Sequence, residues 1–303
     1  MTAVTVFTHD DMLRHEPGAG HPERPARLKA VMDALADDGS FDTREAPLVQ
    51  DDDLLRVHPQ AYLDSLVRRS PHSGLAQLDP DTAMSPGSLS AAKRACGAVV
   101  EAVNAIAAGE IGRAFCAVRP PGHHAGPDWP MGFCLFSSVA VGALAAQAAG
   151  LQRVAVVDFD VHHGNGTEFV FQGGADLFFA SVHQWPNWPG TGDAGRRGNV
   201  VNATAAPGSP RETWRAAFES LMAPLDAFQP DLILVSAGFD AHARDPLASL
   251  LLEADDFAWA TRAILEVARS RCRGMVVSSL EGGYDLQALG RSAVAHVRAL
   301  QED

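Results

Sequence analysis

The sequence predicts an α/β fold built on a parallel sheet covered by helices on both faces. Three observations lead there. Short apolar runs alternate with helix-like stretches along most of the chain. The apolar runs are apolar throughout, as expected of strands buried on both faces. The polar clusters able to carry chemistry follow those runs, and parallel α/β sheets form their sites outside the carboxyl ends of strands.

In chain order the expected strands are 4–7, 114–118, 154–158, 177–181, 232–236 and 275–280. Helix-like segments lie at 25–36, 88–108, 137–149, 211–227 and 253–270. The segment RPPGHHAGPDWPMGF follows the strand at 114–118, and DFDVHHGNGT ends the strand at 154–158. SVHQWPNWPGTG follows a third strand, GFDAH a fourth and EGGYD the last. Five polar clusters at five strand ends converge on one place. No repeat, low-complexity tract or Pro/Gly/Ser-rich linker divides the chain, so residues 1–303 are expected to form a single domain.

Composition narrows the class. The 303 residues are 47% apolar and 20% charged, which is ordinary for a globular protein. Acidic residues outnumber basic ones 37 to 24, giving a net charge of -13. Such a surface repels nucleic-acid phosphates and anionic membranes, so neither is an expected partner. It could attract cationic substrates such as polyamines or Lys-rich tails, although charge of this kind often serves only solubility. Cys96, Cys116, Cys134 and Cys272 form no CxxC pair and read as buried free thiols in a reducing compartment. The first ten residues carry no signal-peptide pattern, and the longest apolar run, 138–151, is too short to span a bilayer. A cytoplasmic location is expected.

A metal site is expected at Asp158-Phe159-Asp160-Val161-His162. Alternate side chains of an extended segment point the same way, so two carboxylates and one imidazole gather at a sheet's end. Asp240, after another strand, adds a carboxylate. The set Asp160, His162 and Asp240 suits a catalytic zinc, which keeps three protein ligands and one open position. Taken alone, the DxH segment reads better as helix or turn caps and packed histidines. Its coincidence with a distant strand-end Asp favours a metal, because clustered buried charges are costly when unpaired. A two-metal site of the arginase type would need carboxylates at the positions of Gly164 and His242, so one metal per chain is expected.

Acid–base groups are expected at His123 and His124. The preceding Arg119-Pro120-Pro121-Gly122 restricts the backbone, so the imidazoles are held in place. Hydrolysis of an amide needs a base for the attacking water and an acid for the leaving amine, and histidine suits both near neutral pH. Asp158 and Asn165, one charged and one neutral, could orient the two rings and give them different pKa values. Tyr284 lies in a glycine-bearing turn, where its hydroxyl could donate to an oxyanion beside the metal. By itself it could also be a packing residue.

RPPGHHA, GFC, DFDVHHGNGT, SAGFDAH and LEGGYD occur in this order. The chain thereby resembles the histone deacetylase superfamily, especially its class II type and the bacterial acetylpolyamine amidohydrolases, from about His21 to about Leu289. The Asn at 165 gives the class II character. The resemblance implies the arginase–deacetylase fold, with a central eight-stranded parallel sheet. It implies zinc (or iron(II)) on Asp160, His162 and Asp240, with His124 as base and acid oriented by Asn165. His123, paired with Asp158, would assist electrostatically, and Tyr284 would polarise the scissile carbonyl. Phe133 and Trp188, with Gly132 and Leu247, would line a tunnel for an aliphatic stem, and Arg27 would line an internal acetate pocket. A structural potassium ion is implied near Asp158, Asp160, His162, Ser181 and Val182. Ser137-Ser138 stands where the family generally has Asn.

The expected substrate is an acylated amine, either an acyl-lysine peptide or protein or a small molecule. An acidic gatekeeper for polyamines in one branch follows the third ligand by seven positions, where this chain has Leu247. Oligomeric state is not legible. The alternatives are an acetylpolyamine or other small-amide amidohydrolase, a two-metal ureohydrolase and a non-catalytic binder of acyl ligands.

Overall fold

A computed structural model describes residues 3–39 and 41–303. Its main sheet has nine strands: β1 (Val4–Thr8), β2 (Asp42–Glu45), β3 (Arg113–Cys116), β4 (Val154–Asp158), β5 (Leu177–Gln184), β6 (Gly195–Arg197), β7 (Val200–Ala205), β8 (Leu232–Ala237) and β9 (Val276–Leu280). Their spatial order is β2-β1-β3-β9-β8-β4-β5-β7-β6. Eight run parallel, and only the short edge strand β6 is antiparallel, against β7. The expected eight-stranded parallel sheet is therefore present, with one added edge.

Every residue of β3, β4, β5, β8 and β9 is buried, so these strands read as mainly apolar runs, with buried polar residues such as Asp158, Ser181 and His183 among them. Helices cover the sheet in two packed groups. Ser88–Ala107 packs on Ser138–Ala148, while Ala26–Asp38, Leu286–Leu300 and Ala254–Cys272 form a second row. The stretch expected as one helix over 211–227 is two, Arg211–Glu219 and Met222–Phe228. The cause is Pro224. In a continuous helix its ring would meet the carbonyl four residues back, whereas in the first turn of a new helix it is tolerated. No helix among the described residues is long and apolar enough to cross a membrane.

The topology places the chemistry. β3, β9, β8, β4 and β5 are the five central, mutually adjacent strands. In sequence they are far apart. Side by side, their carboxyl ends deliver His123/His124, Tyr284, Asp240, Asp158–His162 and Trp188 to one rim of the sheet. Register adds precision, since Asp158 pairs with Ser236 on one side and Ser181 on the other.

Candidate active site

Asp160, His162 and Asp240 are all buried, and their candidate ligand atoms lie within 4.8 Å of one another. His162 Nδ1 stands 3.2 Å from Asp160 Oδ1 and 3.1 Å from Asp240 Oδ2. Burial opposes a charge on this ring, but the hydrogen-bonded Asp160 and Asp240 carboxylates outweigh it and raise His162 to about 10. Two buried carboxylates beside one imidazole leave an excess of negative charge that a divalent cation would balance. The backbone braces the carboxylates: Gly282 N–H donates to Asp160 Oδ2 at 2.8 Å and Val161 N–H to Asp240 Oδ1 at 2.9 Å. Gly282 allows this approach because a Cβ there would lie 2.1 Å from Asp240 Oδ2 and 2.6 Å from Asp160 Oδ2. The donor set and its enclosure fit one zinc-type ion.

The paired histidines sit side by side with ring centroids 3.8 Å apart. His123 Nδ1 faces Asp158 Oδ2 at 3.0 Å, and His124 Nδ1 faces Asn165 Oδ1 at 2.8 Å. Burial would lower both rings. For His123 the Asp160 and Asp158 charges prevail and raise it to about 10. For His124 burial is reinforced by its neighbours His123 and His162, which hold it well below its usual value. The two rings therefore differ in the sense their partners suggest. An amide oxygen only accepts, so His124 Nδ1 carries the hydrogen and leaves Nε2 as a free base.

EGGYD is read residue by residue in the structure. Glu281 Oε2 accepts from the Gly122 and His123 N–H groups at 2.6 and 3.1 Å, tying the histidine loop to β9. Gly282 braces Asp160. The Gly283 carbonyl accepts from Arg27 Nε at 2.6 Å. Asp285 caps the helix Leu286–Leu300 by accepting from Ala288 N–H, which ends the turn and fixes Tyr284 above the strand. Burial pushes the Tyr284 hydroxyl well above its usual value, so it remains a hydrogen-bond donor.

These groups open into a pocket of about 190 Å³ lined by His124, His162, Tyr284, Gly132, Phe133, Trp188, Leu247, Asp81 and Asn187. Trp188 stands edge-on to His124, 4.7 Å between centroids, and Phe133 edge-on to Tyr284 at 6.0 Å. Phe133 has a φ of 68°, a region rarely occupied by aromatic residues. Thr82 Oγ1 accepts from its N–H at 3.0 Å, and Asp81 Oδ1 from Gly132 N–H at 3.1 Å. Arg27 is wholly buried behind the tyrosine, its guanidinium 4.7 Å from the ring centre. Ser181 and Val182 are buried on β5 beside Asp158, and Ser137 and Ser138 are buried behind the histidine loop.

Asp81, Thr82, Asn187 and the bracing role of Glu281 were not legible in the sequence. Nothing in the local sequence singles out Asp81 or Thr82, and the Glu281 contacts span 158 and 159 residues. The unusual φ of Phe133, a backbone signal, marks the loop they hold.

Five adjacent strand ends delivering one metal-type cluster beside an acid–base pair is the organisation of the arginase–deacetylase fold. Within that class the chain belongs to the histone deacetylase family, with residues 21–300 matching the histone deacetylase domain. An uncharacterized protein of Synechocystis sp. is 39% identical over 98% of this chain and 99% of its own length. The histone deacetylase-like amidohydrolase of Pseudomonas aeruginosa is 40% identical, covering 88% of this chain and 73% of that one. Among solved structures, the HD domain of HDA15 superposes with a TM-score of 0.92 at 34% identity, over 99% of this chain and 88% of that one. The family is one of hydrolase-type deacetylases acting on acylated amines.

Proposed function

We propose that residues 1–303 act as one catalytic domain, a zinc-dependent deacylase that removes a short acyl group, most simply acetyl, from an acylated amine such as acyl-lysine. One observation carries this reading: the Asp160/His162/Asp240 cluster, His124 held by Asn165, and Tyr284 meet at a single pocket walled in part by Phe133, Trp188 and Leu247. Asp160, His162 and Asp240 would hold one ion per chain, zinc or iron(II). When bound, that ion supplies Lewis acidity to the attacking water and the acyl carbonyl.

His124 accepts the water's proton at Nε2 while Asn165 holds Nδ1–H, and the same imidazole later protonates the leaving amine. His123, paired with Asp158, adds positive charge beside the developing oxyanion. Tyr284 donates its hydroxyl hydrogen to that oxyanion. Phe133 and Trp188, with Gly132 and Leu247, grip an aliphatic stem in a tunnel. Arg27 lines a pocket for the released carboxylate. Asp158, Asp160, His162, Ser181 and Val182 would hold a structural potassium ion. The excess of acidic residues supports an enzyme that binds neither nucleic acid nor anionic membranes, and a cytoplasmic location is part of the same proposal.

Leu247 in the pocket lining argues against one mode of polyamine recognition, while Asp81 in the same lining leaves a carboxylate for a cationic arm, so acyl-lysine and acylpolyamine are the two substrates to compare. Turnover of acetyl-lysine beside acetylputrescine tests the choice. A preference for acetylputrescine would move the function to the small-amide reading.

A further inference from the structure

The second histidine of the Asp-Val-His-His run, His163, has no part in the chemistry above, yet it is almost fully buried, as is His183 on β5. The two rings lie 4.8 Å apart. Over them passes the loop 185–193, which carries Asn187 and Trp188 to the pocket. That loop has little packing of its own. Trp188 is 40% exposed, Thr191 is exposed, and Gly192 is the only one of its nine residues that is buried. Gly192 rests directly on the imidazoles, since a Cβ there would lie 2.5 Å from His163 Cγ and 2.7 Å from His183 Nε2.

Hydrogen bonds complete the attachment. His163 Nδ1 meets Thr191 Oγ1 at 2.8 Å, and His163 Nε2 meets Glu168 Oε2 at 2.8 Å. Glu168 Oε2 also accepts from Asn202 Nδ2 on β7 at 2.7 Å. A carboxylate only accepts, so His163 Nε2 carries a hydrogen, and in the neutral ring Nδ1 accepts from the Thr191 hydroxyl. On the other ring, the Gly192 carbonyl also only accepts, so His183 Nε2 donates to it at 2.7 Å. His183 Nδ1 is then free to accept from Ser181 Oγ at 2.9 Å. Each donor has an acceptor, and both chains of bonds end on the loop from rigid, buried strands.

We propose that His163, backed by Glu168 and Asn202, and His183 form a clamp that fixes the Trp188 loop through Thr191 and Gly192, making them positioning residues for one wall of the substrate pocket. Besides the Trp185 N–H bond to the Ala205 carbonyl at 2.9 Å and the contact of Trp188 with His124, the loop is held by the imidazoles beneath it. Its consequence for substrate binding rests on the reading of Trp188 as a tunnel wall; the clamp itself does not.

The test uses the full-length, metal-loaded chain labelled with 5-fluorotryptophan, whose five tryptophans report separately by fluorine NMR. Trp188→Phe assigns the signal. Thr191→Val keeps the side-chain shape and removes the hydroxyl at an exposed position, so folding is preserved. In Thr191→Val the Trp188 signal shifts or broadens, those of Trp129, Trp214 and Trp259 stay, and Thr191→Ser restores the original spectrum. Alongside, KM for an acetyl-lysine substrate rises about fivefold, the worth of one neutral hydrogen bond, with kcat nearly unchanged. A Trp188 signal unmoved by Thr191→Val overturns the clamp, as does a general shift of all five. A Trp188 signal that moves, with or without that of Trp185 in the same loop, while KM stays constant supports the clamp and overturns Trp188 as a wall of the substrate tunnel.

Discussion

Adding one methyl group at Gly282 should dismantle the metal site while leaving the fold standing. In Gly282→Ala the new Cβ would lie 2.1 Å from Asp240 Oδ2 and 2.6 Å from Asp160 Oδ2. To reach an ordinary contact of 3.4 Å, the Asp240 oxygen must retreat by about 1.3 Å and the Asp160 oxygen by about 0.8 Å. Neither can do so freely, because Asp160 Oδ2 is held by the Gly282 N–H and Asp240 Oδ1 by the Val161 N–H. Ligand distances in a zinc site tolerate only about 0.2 Å. Disturbing the groups that orient ligands costs about 10–100-fold in affinity, and displacing two ligands directly should cost at least the upper end of that range. The assay is competition for zinc against a fluorescent chelator, with metal content per chain and a thermal melt of the metal-free protein as controls. Gly282 does not occupy the left-handed region, so alanine brings no backbone penalty to confuse the result. Wild-type zinc affinity in a folded Gly282→Ala protein would refute the assignment of Asp160 and Asp240 as ligands.

Other outcomes follow from the same contacts. Glu281→Leu leaves the buried Gly122 and His123 N–H groups without an acceptor and should destabilise the protein by about 2–5 kcal/mol in urea melts. Glu281→Gln keeps an acceptor and should lose far less. His58 accepts from Ser137 N–H at Nε2 and faces the Pro127 carbonyl through Nδ1, and burial lowers it from 6.5 to about 4. Its contribution is present above pH 6.5 and is lost as pH falls through about 4, at a cost of about 3 kcal/mol. Melting temperature measured from pH 7 to pH 4 should therefore fall, and less steeply in His58→Gln; identical slopes would remove His58 as a cause.

Much of the architecture was legible because burial writes itself into composition. β4 and β8 each open with four consecutive apolar residues, and their limits were placed within a residue. β2 is Asp-Thr-Arg-Glu, mostly exposed and paired only with β1, so neither alternation nor apolar content betrays it. β7 carries Asn202 and Thr204 in its middle, and Asn202 is there to bond Glu168. The ligand candidates and both histidines were legible because each lies in the segment that follows an apolar strand. What holds them was not. Glu281 and Asp81 act on backbone groups far away in sequence, and no local pattern records an acceptor for a distant N–H. Arg27 was singled out, but its bonds to the Gly283 and Glu281 carbonyls depend on packing of two helices that sequence alone does not pair.

The most direct test of the central claim is hydrolysis of a fluorogenic acetyl-lysine substrate by the purified chain, before and after chelation and after zinc is restored, with Tyr284→Phe measured in parallel. The account predicts turnover that vanishes with chelator, returns with zinc, and falls about 10²–10³-fold in Tyr284→Phe at unchanged zinc content. Turnover indifferent to chelation, or a Tyr284→Phe protein as fast as wild type, would contradict it.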